Sequence, residues 1–206
     1  MLTRQGNGTT RVPLVFGLLC FISILLTTRV EASNFSGPTG ALGCGQNMQD
    51  NSTMTFHRAF NTDQHKLTTN WYNAVATGLN SYIIGTNVTL HTEDNPPTAA
   101  TDLIYLEDYW ASPFCGYTWW SPSGGTMVGY TYCYRLSGSK CDQFQILFNK
   151  NWDLNGNVTQ TQRQNFALHE TGHSLGLTHG SPQCSVMDLC QSSFSSHDYD
   201  HINGNY

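Results

Sequence analysis

The sequence predicts an α+β fold with one central sheet, and three observations carry that expectation. Short runs with strand character recur between Met54 and Asn149. Two longer segments read as helices, one near Trp71 with apolar residues at helical spacing and one from Thr161 bounded by a capping-box pattern and Gly176. The order that results is strand, helix, several strands, helix and a short tail, with no internal repeat and no low-complexity tract.

Residues 1–32 have to be set apart before the fold is read. Met1 to Arg11 carries Arg4 and Arg11 and no acidic residue, and Val12 to Leu26 is apolar almost throughout. Val30-Glu31-Ala32 then has the small-residue spacing that a signal peptidase accepts. This is the order of a secretory signal. The alternative, a membrane anchor, needs about 20 apolar residues. Cleavage after Ala32 would leave Ser33 to Tyr206, which is 206 less 32, or 174 residues. That length suits one domain with its own core. The cut removes three of the nine basic and one of the fourteen acidic residues, so the net charge becomes about −7. An acidic chain argues against nucleic acid as a partner. The expectation is a secreted, extracellular monomer with no membrane contact after signal cleavage.

Cysteine usage agrees with an oxidising compartment. Cys20 falls in the signal, leaving Cys44, Cys115, Cys133, Cys141, Cys184 and Cys190, an even set that reads as three disulfides. The short separations favour Cys184 with Cys190 and Cys133 with Cys141, leaving Cys44 for Cys115. The rival role for Cys44, a thiolate on a metal, would leave an odd number. Asn34, Asn51, Asn87 and Asn157 each begin an N-x-S/T sequon, an acceptor of N-linked glycans in a host that makes them.

Along the chain, Ser33 to Asn51 reads as an irregular segment tied down at Cys44. Met54 to Phe60 alternates as a strand, with His57 on its polar face as a surface histidine. Thr62 or Asp63 then caps a helix to about Thr77, with Leu67, Trp71, Ala74 and Val75 as its apolar stripe. Tyr82–Ile84, Val88–His91 and Leu103–Leu106 read as strands broken at Asn95 to Pro97. Met127–Tyr134 and Gln143–Asn149 follow, the first either an interior strand or an edge on which a peptide could add as another strand. Thr161 with Gln164 makes a capping-box pattern for the last long helix, and Gly176 ends it.

That helix carries His169-Glu170-Thr171-Gly172-His173, continued by Ser174-Leu175-Gly176-Leu177-Thr178-His179. Two histidines four apart lie one turn above each other, so both imidazoles can reach one ion. Gly176 permits a positive φ and lets the chain swing His179 back as a third ligand. Three neutral nitrogens leave a fourth zinc position open, the catalytic rather than the structural arrangement. Glu170 projects from a different angle than His169 and suits a general base instead of a ligand. The five-residue pattern alone recurs by chance; the added glycine and third histidine make it far more specific.

Ser185-Val186-Met187-Asp188 follows between Cys184 and Cys190. With this methionine, the run from Leu168 to His179 resembles the metzincin clan of zinc metallopeptidases and is most similar to matrixins. The resemblance covers about residues 166–188. It implies a twisted mixed sheet with an antiparallel edge strand above an active-site helix, a cleft beneath that strand and a methionine turn placing Met187 under the metal. It also implies Zn2+ on His169, His173 and His179, Glu170 as catalytic base, and a polypeptide substrate cut at internal bonds. Gly180, where matrixins have serine, and Leu189, where astacins have tyrosine, leave the subfamily open. Two other readings stay in view: a secreted zinc-binding protein without activity, and a hydrolase of a non-protein amide. A base beside the metal argues against the first.

Weaker patterns are read as structural. Asn151-Trp152-Asp153-Leu154-Asn155-Gly156 resembles the start of a calcium loop, but Gln162 stands where glutamate is required, so a polar turn is expected. His197 and His201 are expected as solvated helix residues, and His65 and His91 as surface residues.

Overall fold

The protein is described here by a computed structural model covering residues 35–206, apart from 45–46, 61–62, 94, 111–112 and 155. The segment expected to be a signal, Cys20 and the sequon at Asn34 lie outside the described residues. Among the described residues the architecture is α+β, with four helices and one five-stranded mixed sheet. The strands are β1 (Thr53–Arg58), β2 (Thr89–Glu93), β3 (Leu103–Asp108), β4 (Gly129–Ser137) and β5 (Lys140–Asn149), in the order β2-β1-β3-β5-β4. β2, β1, β3 and β5 run parallel, and β4 returns antiparallel to β5 as an edge strand. The interior alternative for the segment around Met127–Tyr130 therefore falls away.

One face of the sheet holds the main core. Met54, Phe56, Leu103, Tyr105, Phe144, Ile146 and Phe148 alternate onto it, as period-2 strands must. α1 (Thr69–Tyr82) and α3 (Gln160–Ser174) cover that face. Trp71 of α1 lies flat on Phe148, ring centroids 3.9 Å apart. Two short elements complete the set: α2 (Lys150–Asp153) after β5, and α4 (Ser196–Asn205) at the end of the chain. On the opposite face a smaller apolar cluster forms around Trp119, Met127 and Leu147.

Three sequence expectations are corrected. The first helix begins at Thr69 and runs to Tyr82, so Tyr82–Ile84 is a helix end and not a strand. Gly78 looks like a breaker, yet it lies where the backbone of α3 comes close: a Cβ there would sit 3.2 Å from the Gln164 carbonyl oxygen. Ahead of the helix, Glu107 takes up the chain, its backbone N–H donating to the His65 carbonyl at 2.8 Å and its carboxylate accepting from Thr68 N–H. Secondly, the capping box of α3 is Thr159 with Gln162, two residues upstream of the expected pair. Thirdly, His57 is buried, not a surface residue: its ring meets the Glu93 carbonyl at 3.1 Å and the Asp63 carboxylate at 3.0 Å. The segment after β1 folds back over that face of the sheet, and alternation within one strand carries no trace of it.

Cys44–Cys115, Cys133–Cys141 and Cys184–Cys190 form the three disulfides, as expected, which leaves no Cys44 thiolate. Three disulfides are consistent with an extracellular setting. No helix among the described residues is long and apolar enough to cross a membrane. Asn51, Asn87 and Asn157 are exposed. Asp153, read in a polar turn, pairs with the buried Arg163.

Candidate metal centre

α3 presents its polar motif on a buried face, and each polar group there has a partner. Thr171 donates to the Ala167 carbonyl at 2.7 Å and accepts from the Tyr105 hydroxyl at 2.7 Å, pinning the helix to β3. Gly172 marks the contact with Met187: a Cβ would lie 2.3 Å from the Met187 sulfur and 3.0 Å from Phe194. Met187 itself is fully buried in a 3-10 turn, Val186–Asp188, that closes beneath the helix.

His169, His173 and His179 come together. The Nε2 atoms of His173 and His179 lie 3.2 Å and 3.0 Å from Nε2 of His169, and one donor atom from each ring falls within 4.8 Å of the other two. Gly176, at φ 89°, makes the turn that brings His179 back. Its carbonyl accepts from Ser36 N–H at 2.9 Å, and the Ser174 carbonyl accepts from Gln49 N–H at 2.9 Å, so the N-terminal segment braces the turn.

Backbone carbonyls fix two of the rings. Nδ1 of His169 meets the Val186 carbonyl at 3.0 Å, and Nδ1 of His173 meets the Leu177 carbonyl at 2.8 Å. A carbonyl only accepts, so Nδ1 carries the proton in both and each Nε2 presents a lone pair. Burial lowers His169 to about 4 and His173 to about 3, which keeps both rings neutral near pH 7. Facing lone pairs at this distance repel, and a cation between them removes the conflict. The separations also approach the roughly 3.3 Å edge of a tetrahedron with metal–nitrogen bonds of 2.0–2.1 Å. The donor set can therefore hold a metal ion.

The histidines line a cleft of about 730 Å³ that also takes in Glu170, Met187 and residues 128–131 at the start of the edge strand. Glu170 is buried, and its Oε2 accepts from the Thr131 hydroxyl at 2.8 Å. Burial raises its carboxyl to about 7, with the Thr131 hydroxyl pulling the other way. Gly129 leaves the space this side chain fills, since a Cβ would come within 3.0 Å of its Oε1.

Some partners of the site could not be found by motif. Thr131, the Val186 carbonyl and the Leu177 carbonyl belong to it through tertiary contact alone. His197 and His201 do stand on α4, with ring centroids 4.5 Å apart, and are half-buried, not fully solvated; His201 stacks on Phe35. His65 and His91 are exposed, and His65 pairs with Asp108. No protein-family model matches the chain, and no curated protein matches it.

Proposed function

We propose that the protein is a secreted zinc endopeptidase of the metzincin kind, hydrolysing internal bonds of extended polypeptides. The observation that carries this reading is the convergence of three imidazole nitrogens in the one cleft that a buried carboxylate, Glu170, also lines. Three neutral imidazoles suit zinc with an open fourth position. Met187 packed under the helix and an antiparallel edge strand beside the cleft agree with the metzincin resemblance.

His169, His173 and His179 would hold the zinc ion, which when bound would supply polarisation of the scissile carbonyl and acidification of a water molecule. Glu170 accepts the proton of the attacking water and returns it to the leaving amine. Burial raises the Glu170 carboxyl in the metal-free site, which is the direction that makes it a better proton acceptor. Thr131 keeps the carboxylate in place through its hydroxyl. Ahead of Cys133, whose carbonyl already accepts from Gly43 N–H, β4 offers edge backbone groups along which an extended chain can lie.

We expect Glu170→Ala to lower casein cleavage by roughly 10²–10⁴-fold while zinc stays bound. A chelator should abolish the wild-type activity. Normal turnover by the Glu170 variant would refute the mechanism. A zinc-loaded wild type that cleaves neither casein nor a peptide library would refute the endopeptidase reading, and a screen of dipeptides and other amides would then be the next step.

A further inference from the structure

We propose that Asp188 is the positioning residue for the third ligand, its carboxylate clamping the backbone that leaves His179; this rests on reading the three histidines as a metal centre. His169 and His173 sit on α3, whereas His179 is exposed and lies beyond the helix. Upstream, the Gly176 turn sets where the chain goes. Downstream, Gly180 turns again at φ 87°. There the Gly180 N–H donates to Oδ1 of Asp188 at 2.8 Å, and the Ser181 N–H donates to Oδ2 at 3.1 Å. One carboxylate thus takes two successive amides immediately after the ligand, with charge-assisted bonds of defined direction.

Asp188 can act as a fixed point because its own backbone is fixed. Its N–H donates to the Ser185 carbonyl at 3.2 Å, and Leu189, in the left-handed region at φ 55°, closes the turn with a bond to Val186. The Ser185 hydroxyl accepts from Met187 N–H and donates to the buried Asp198. Cys184–Cys190 ties the two ends of the segment. The same short turn therefore orients His169 through the Val186 carbonyl and His179 through the Asp188 side chain. A ligand on an exposed loop has many arrangements that miss the metal, and restricting them raises affinity without any new metal bond.

The test uses the full mature chain and zinc affinity measured by competition with a chromophoric chelator. Asp188→Ala should weaken zinc binding about 10–100-fold, the range for outer partners of metal ligands. Asp188→Asn keeps one acceptor and should fall between. The d–d spectrum of the Co2+ form of Asp188→Ala should shift toward that of His179→Ala, and exchange of the Gly180 and Ser181 amides should speed up. Asp142→Asn, which loses a carboxylate paired with Arg135 elsewhere, should bind zinc like the wild type. If Asp188→Ala does not fold, Asp188→Asn carries the comparison. Unchanged affinity and Co2+ spectrum in the folded variants would overturn the clamp while leaving the endopeptidase reading intact. A wild type that binds zinc and cleaves nothing would do the reverse.

Discussion

The helical half of the candidate metal centre, residues 160–174, and the loop half, residues 175–190, hold their histidines by different means. In the helix, a four-residue spacing aligns His169 and His173, and burial with one carbonyl each sets the rings. The loop has no such period. Its single ligand depends on a positive-φ glycine, on the N-terminal segment at Ser36 and Gln49, and on Asp188. Spacing is a local property of the chain, but the loop also leans on a contact 140 residues away in sequence, between Ser36 and Gly176. The loop half should therefore be the easier one to disturb without unfolding the rest.

Gly176→Ala attacks the loop half most directly. The new Cβ would lie 2.6 Å from a Phe35 ring carbon and 3.1 Å from the Met48 Cβ, in a backbone region that L residues avoid. Strain and overpacking together should cost roughly 2–5 kcal/mol. At roughly 2–4 °C per kcal/mol for this size, the melting temperature should fall by about 4–20 °C. Calorimetry checks this, and an unshifted transition would mean that the brace is soft.

Glu107 tests the support of the helical half, since it anchors the start of α1, which packs on α3. Burial raises its carboxyl from 4.5 to about 7, with Thr68 hydrogen bonds opposing. Between those pH values the folded state holds a proton that the unfolded chain has released, so this group's contribution falls as pH rises from 4.5 through 7. Glu107→Gln should remove that loss. In metal-free protein the variant should gain on the wild type by on the order of 2 kcal/mol between pH 4.5 and 8. Denaturant unfolding of both proteins at the two pH values measures the difference, and a constant difference would rule the effect out.

The smallest expected effect comes from opening Cys184–Cys190 by a double alanine substitution. A loop this short contributes about 2 kcal/mol by chain entropy. The metal-free melting temperature should drop slightly, while zinc affinity falls more than that loss alone implies, because Val186 and Asp188 both lie inside the loop. Equal loss of affinity on removing Cys133–Cys141, remote from that turn in sequence, would erase the contrast between the halves.

Much of this protein was legible before its structure. The α+β class, the strands around Leu103 and Phe144, and the pairing of cysteines close in sequence all follow from period and short loop closure. The pairing of His169 with His173 follows from helical period, and the role of Gly176 from the freedom of a residue without Cβ. Tertiary structure decided the remainder. It buried His57 under a returning segment, carried the first helix through Gly78, where the backbone of α3 comes close, and matched Thr171 to Tyr105 across the core. It also put Asp188 on the amides after His179 and Thr131 on Glu170. Local sequence fixes a residue's angle within its own element. Which distant group meets it depends on how the elements pack, and a single chain read by period holds no record of that.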